Sequence, residues 1–226
     1  MPELPILTTN FSMIKRDKYL LVWATFLPFQ AGLIAMLTVL HFNLMSTNIA
    51  GHFPRAFKEL LGHNTTQGLS ILSNIGIYFL GALLTAYWVT RFANNRWIMM
   101  VPYSVTFLIL IIATAAPITD GFKLNLLFFT MANQNVFSAF ITEGVVKPSQ
   151  MTGILIDLAQ NIVKWVTLKN HTLPIIKAQI VLILSFSMGL TVAFLMDNSL
   201  VFPTFFIAIA VQFIILCLLY LKRVGQ

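Results

Sequence analysis

Apolar residues in this chain come in long runs rather than alternating with polar ones. Six runs approach the roughly 20 residues needed to cross the hydrocarbon of a bilayer. They cover about 19–42, 68–91, 98–117, 122–142, 175–196 and 200–221. The fourth is the least apolar, because Asn125, Asn133, Gln134 and Asn135 interrupt it. The first begins behind Lys15, Arg16 and Lys18 and exceeds the ~7–15 residues of a signal-peptide core, so it reads as a span that is kept.

The two longer connections, 43–67 and 143–174, are too polar to span, yet each carries a 3.6-residue period. In the second, Ile154, Leu155, Leu158, Ile162, Trp165 and Val166 oppose Asp157, Gln160, Asn161 and Lys164. In the first, Phe53, Ala56, Phe57, Leu60 and Leu61 oppose Arg55, Lys58 and Glu59, with Pro54 suited to the first helical turn and Gly62 to its end. Both predict short amphipathic helices that lie in the headgroup region or dip into the membrane.

Composition agrees with the pattern. Of 226 residues, 58% are hydrophobic and 9% charged, and the mean hydropathy is +0.85. Soluble domains carry about 25% charged residues, so lipid is the expected surrounding. The net charge of +7 then reports orientation, not nucleic-acid binding. With six spans and the N-terminus inside, eleven of the 14 Lys and Arg residues fall on the cytoplasmic side. Only Arg55, Lys58 and Lys123 fall outside, which puts both termini in the cytoplasm. The single Cys217 lies in an apolar run, with no partner for a disulfide or a metal.

The two halves align. Gln30 precedes Met45-Ser46-Thr47-Asn48 as Gln134 precedes Met151-Thr152-Gly153. An amphipathic helix follows in each half, then a span with a central glycine, Gly81 or Gly189. The interval between mates grows twice by two residues, so two small insertions are needed. Each unit holds three spans, an odd number, and so enters the membrane inverted relative to the other. The expected organisation is a cytoplasmic segment 1–18, a first three-span repeat 19–117, a second 118–221 and a cytoplasmic tail 222–226. By the charge count, Thr47 lies at the outer face and Thr152 at the cytoplasmic face. Inverted repeats recur in secondary transporters, with the substrate site near the midplane.

The run Met131-Ala132-Asn133-Gln134-Asn135, followed by Met151-Thr152-Gly153 and an amphipathic helix, resembles the YoaK family over about residues 20–215. That resemblance implies a small multi-pass membrane protein, mostly bacterial and therefore of the cytoplasmic membrane, with a domain of unknown function. Where the family usually has Met-Thr-Gly-Asn, this chain has Met45-Ser46-Thr47-Asn48, keeping the hydroxyl and the amide and losing the glycine. A position commonly acidic in the family is Gln30 here. The first change disfavours a positive φ at Thr47, and the second weakens a proton-coupling role for Gln30.

Candidate chemistry is sparse. Ser46, Thr47, Asn48, Thr152 and Gly153 precede helices, either as caps that satisfy free N–H groups or as helix starts that bind a polar or anionic solute. Amides inside spans usually face a bundle interior or a cavity. Isolated Asn74, Gln179 and Gln212 suit inter-helix bonding. Asn133, Gln134 and Asn135 point three ways, and with Gln30 they form the leading substrate-site candidate. Gly76, Gly81, Ser185 and Gly189 suit close helix packing, and Pro28 and Pro203 suit kinks. Enzyme signatures are absent and no cofactor is implied. His41, His52 and His63 read as exposed loop residues rather than metal ligands, and no acid lies mid-span to relay protons.

The expectation is an all-α integral membrane protein: six transmembrane helices in an inverted 3+3 repeat with two short amphipathic helices. The expected role is a small-solute permease; the alternative is a membrane scaffold or accessory subunit. So small a chain also leaves room for a homodimer.

Overall fold

Long apolar runs become helices because a helix satisfies its own backbone, which lipid cannot do. A computed structural model describes residues 18–168, 173–197 and 203–224. Most of the expected N-terminal segment, Lys169 and the last two residues of the tail lie outside the described residues. All regular structure among those described is helical. In order the helices are α1 (Lys18–Phe42), α2 (Ile49–Leu61), α3 (Thr65–Arg91), α4 (Arg96–Met99), α5 (Val101–Ala115), α6 (Asp120–Ile141), α7 (Met151–Leu168), α8 (Leu173–Asp197) and α9 (Pro203–Val224).

Three of these, α1, α3 and α8, are long and apolar enough to cross a membrane. α5 and the apolar part of α9 are shorter, and α6 has the length but carries its amides and Lys123. The span expected at 98–117 is broken at Met100. Pro102 has no N–H and its ring crowds the carbonyl four residues back, so the helix restarts. That carbonyl, of Ile98, accepts the Trp88 indole N–H at 2.6 Å instead. Pro203 opens α9 rather than interrupting it, whereas Pro28 does stand inside α1.

The surface is inverted relative to a water-soluble protein. Phe79, Leu83, Leu108, Leu184, Met188 and Phe213 are exposed, while Gln30, Asn133, Gln134 and Gln212 are buried. Large exposed apolar patches mark surfaces that meet a partner or lipid. Such helices are compatible with a membrane protein.

Packing follows the small residues. A Cβ on Gly189 of α8 would run into the Phe29 carbonyl of α1, and one on Gly32 into the Phe186 carbonyl of α8. The two backbones touch there in both directions, and α1 packs chiefly on α8. Gly81 does the same for α3 on α6, where a Cβ would lie 3.0 Å from the Phe129 carbonyl. Gly76, expected to pack, faces open space.

The helices divide into two groups. α1 gathers α8, α9 and, through α8, α7; α6 gathers α3, α5 and, through α3, α2. Each group thus takes its first helix from the other half of the chain. The groups join where α1 crosses α6 and α5 meets α9.

At one end, His41 and Phe42 of α1, Thr114 of α5, Asp120 and Lys123 of α6 and Phe205 of α9 line a cavity of about 230 Å³. His41 Nε2 lies 3.1 Å from an oxygen of Asp197, which ends α8. At the other end, Trp97, Met100 and Ser104 face Leu216, Cys217 and Tyr220 across a groove. The long helices therefore run alternately up and down.

Candidate functional site

α2 begins earlier than its pattern suggested. Asn48 is the N-cap, its side chain accepting the Gly51 N–H at 3.1 Å. Pro54 consequently sits inside the helix rather than in its first turn. Gly62 closes α2 with its N–H on the Lys58 carbonyl, but His63 (φ 65°) takes the left-handed position after it. The short turn makes α2 antiparallel to α3. At 1.5 Å per residue, α2 is about 20 Å long and α3 about 40 Å, so the start of α2 reaches the middle of α3.

α7 begins at Met151, directly after a turn in which the Gln150 N–H bonds the Lys147 carbonyl. Thr152 and Gly153 are therefore in the first helical turn and are not caps. Asp157 pairs with Lys147 at 3.8 Å, and Asn161 donates to Gln179 of α8 at 3.2 Å. Ile154 is buried, but Leu155, Ile162, Trp165 and Val166 are exposed. Most of the apolar stripe thus faces outward, while Asp157 and Asn161 meet the protein and Gln160 and Lys164 are exposed.

The two helix starts meet. Met45, Thr47, Asn48, Ile49 and Ala50 from the α2 side, and Ser149, Gln150, Met151, Thr152 and Gly153 from the α7 side, line one cavity of about 500 Å³. Tyr78, midway along α3, and Phe186, midway along α8, complete it. A cavity of that volume is roughly 10 Å across, against a hydrocarbon thickness of about 30 Å. Thr47 and Thr152, expected at opposite faces, instead line one cavity. The reason is that both short helices start beside the midpoints of α3 and α8. Among the described residues, no Asp, Glu, Lys or Arg lines the cavity.

Ser46 is drawn away from it. Its N–H bonds the Thr38 hydroxyl oxygen at 3.1 Å, and the Thr38 hydroxyl reaches Ser46 Oγ at 3.2 Å. This tie turns the chain back along α1 before α2 starts. His52, expected to be exposed, is buried: its Nε2 lies 2.7 Å from the Met45 carbonyl and its ring packs on Phe128.

The amides do not line the cavity. Gln30 Nε2 donates to Gln212 Oε1, and Gln30 Oε1 accepts the Tyr103 hydroxyl at 3.1 Å. Gln134 Nε2 donates to the Leu27 carbonyl at 2.8 Å and reaches Gln30 Oε1 at 3.4 Å. Gln212 Nε2 donates to the Tyr103 carbonyl at 3.1 Å. Four helices are thereby bonded at the junction of the two groups. Asn133 ties α6 to α3 and α5, accepting from the Thr85 hydroxyl and donating to the Pro102 carbonyl (2.8 Å) and Thr106 Oγ1 (2.9 Å). These side chains are engaged in helix contacts away from the cavity, with Gln134 Oε1 buried and without a partner among the described residues.

Asn135 alone of the triplet acts on the cavity, from behind its wall. Its Nδ2 donates to Tyr78 Oη at 2.8 Å and Ser149 Oγ at 2.5 Å, and its Oδ1 accepts the Ser149 N–H at 3.2 Å. It fixes one lining residue from each side. Tyr78 and Phe186 were not anticipated, yet each stands three residues before the glycine that marks its span. Gly32 was also missed, because only its contact with α8 distinguishes it.

No curated protein and no solved structure matches the chain. A family model described as a protein of unknown function (DUF1275) matches residues 23–218. Nearly the whole helical body lies in that match, and the chain belongs to the DUF1275 family.

Proposed function

We propose that the protein is a bacterial inner-membrane permease for a small solute, with six membrane crossings in an inverted 3+3 repeat and both termini in the cytoplasm. The observation that carries this reading is the cavity itself. Two motifs far apart in sequence bring two helix starts together beside the midpoints of α3 and α8, between two helix groups that pair alike. Alternating access follows if the groups rock about the amide junction. No catalytic chemistry and no cofactor is assigned to the site.

A second reading, a non-transporting scaffold or accessory subunit, draws on the amides being consumed by helix contacts. Liposomes containing the purified protein separate the two. Under the permease reading they take up a solute from a panel of small neutral and charged compounds, and Gly153→Trp abolishes uptake. A Cβ at Gly153 meets nothing within 4 Å, so the new side chain leaves the backbone into open space. Absence of uptake across the panel favours the scaffold.

The topology is tested in cells with Cys217 replaced by alanine. A cysteine at Gly121, in the first turn of α6, should label with an impermeant maleimide from outside. One at Arg91, ending α3, should label only from the cytoplasm. Labelling of both from one side overturns the six-span arrangement. Cysteines at Thr47 and Thr152 should share their accessibility, since they line one cavity.

A further inference from the structure

We infer that the cavity between α2 and α7 binds a monovalent oxyanion. The inference rests on the site proposed above, but not on transport through it. Each helix start carries about half a positive charge, so two amount to roughly one unit. The first-turn N–H groups of Ile49, Ala50, Met151, Thr152 and Gly153 have no protein acceptor among the described residues, whereas that of Gly51 is taken by Asn48. Free first-turn N–H groups are anion donors.

Thr47 is an independent indication. It lines the cavity at 9% exposure, and its hydroxyl has no hydrogen-bond partner among the described residues. A hydroxyl in the cavity wall without a protein partner is free to bond a ligand oxygen.

Charge defines the valence. With no carboxylate in the lining, nothing cancels the helix ends; with no Lys or Arg, nothing balances a second negative charge. Lys147 and Asp157, outside the lining, pair with each other at 3.8 Å. Met45, Tyr78, Met151 and Phe186 supply apolar walls for the rest of the ligand. The volume of about 500 Å³ admits nitrate or a short monocarboxylate.

Calorimetric titration of the full chain in detergent at pH 7.5, with constant sodium sulfate, tests this. Sodium nitrate, sodium butyrate and neutral butyramide are the probes. Butyrate, nitrate or both should bind, at least about tenfold more tightly than butyramide, the preference expected of charge-assisted hydrogen bonds. The better-binding anion identifies the source as carboxylate or inorganic. Thr47→Val should weaken that anion about tenfold, and Thr47→Ser should restore it.

Binding of neither anion more tightly than butyramide, absence of anion binding, or anion binding unchanged in a folded Thr47→Val protein overturns the inference. Binding without flux in liposomes removes the permease and leaves the anion site. Flux of neutral solutes with no anion preference does the reverse.

Discussion

Gly189→Ala should cost the fold about 3 kcal/mol, the upper end of what an inserted methyl does to a packed core. The new Cβ would overlap the Phe29 carbonyl and lie 3.0 Å from the Leu33 N. Both are backbone atoms of α1, so no side chain can rotate out of the way. Relief requires α1 and α8 to separate along the contact that holds one helix group together. Gly32→Ala meets α8 in the same way, at the Phe186 carbonyl and the Leu190 N, and should have a similar effect. Gly76→Ala is the control. Its Cβ meets nothing within 4 Å, and alanine in a helix interior gains about 0.5–1 kcal/mol over glycine. Melting curves of the three variants in detergent should show two large decreases and one small increase. A tolerated Gly189→Ala would mean the two helices are not in backbone contact.

Gln30→Leu should destabilise the protein by about 2 kcal/mol while leaving ligand affinity at the cavity unchanged. The substitution removes the acceptor of the Tyr103 hydroxyl and the donor to Gln212 Oε1. Both partners belong to fully buried residues. Each stranded group costs about 1–3 kcal/mol by general experience. Paired measurements in membrane helices average nearer 0.6 kcal/mol, because separated helices find other partners. Two groups stranded at one junction place the cost between these limits. Thermal unfolding measures it, and titration with the anion bound by the unaltered protein measures the cavity. If affinity falls and stability does not, Gln30 is a ligand-contacting residue and its assignment to the helix junction is wrong.

The polar residues illustrate how far sequence reasoning carries. That Asn133, Gln134 and Asn135 need different partners follows from their 100° spacing around a helix. The partners themselves lie on α3, α5 and α1 and around Ser149, and nothing local to the triplet names them. The glycines behave alike. Gly76 and Gly81 look equivalent in the chain, but only Gly81 faces another helix. Amphipathicity was legible in both short helices. The direction of each apolar stripe was not legible, because a stripe records only that one side is dry, and in α7 most of it faces outward.

From the chain alone follow the helical class, the long apolar runs, the doubled Gln…Met-hydroxyl…Gly order and the presence of two short helices. Each depends on composition or on spacing within one segment, where backbone satisfaction and residue period are enough. Tertiary structure decided that α1 and α6 exchange places between the two groups, that the central amides are spent on helix contacts, and that Thr47 and Thr152 line a single cavity. These depend on which distant surfaces meet, through close approach at Gly32, Gly81 and Gly189 and through hydrogen bonds between helices. Period and composition carry no record of either.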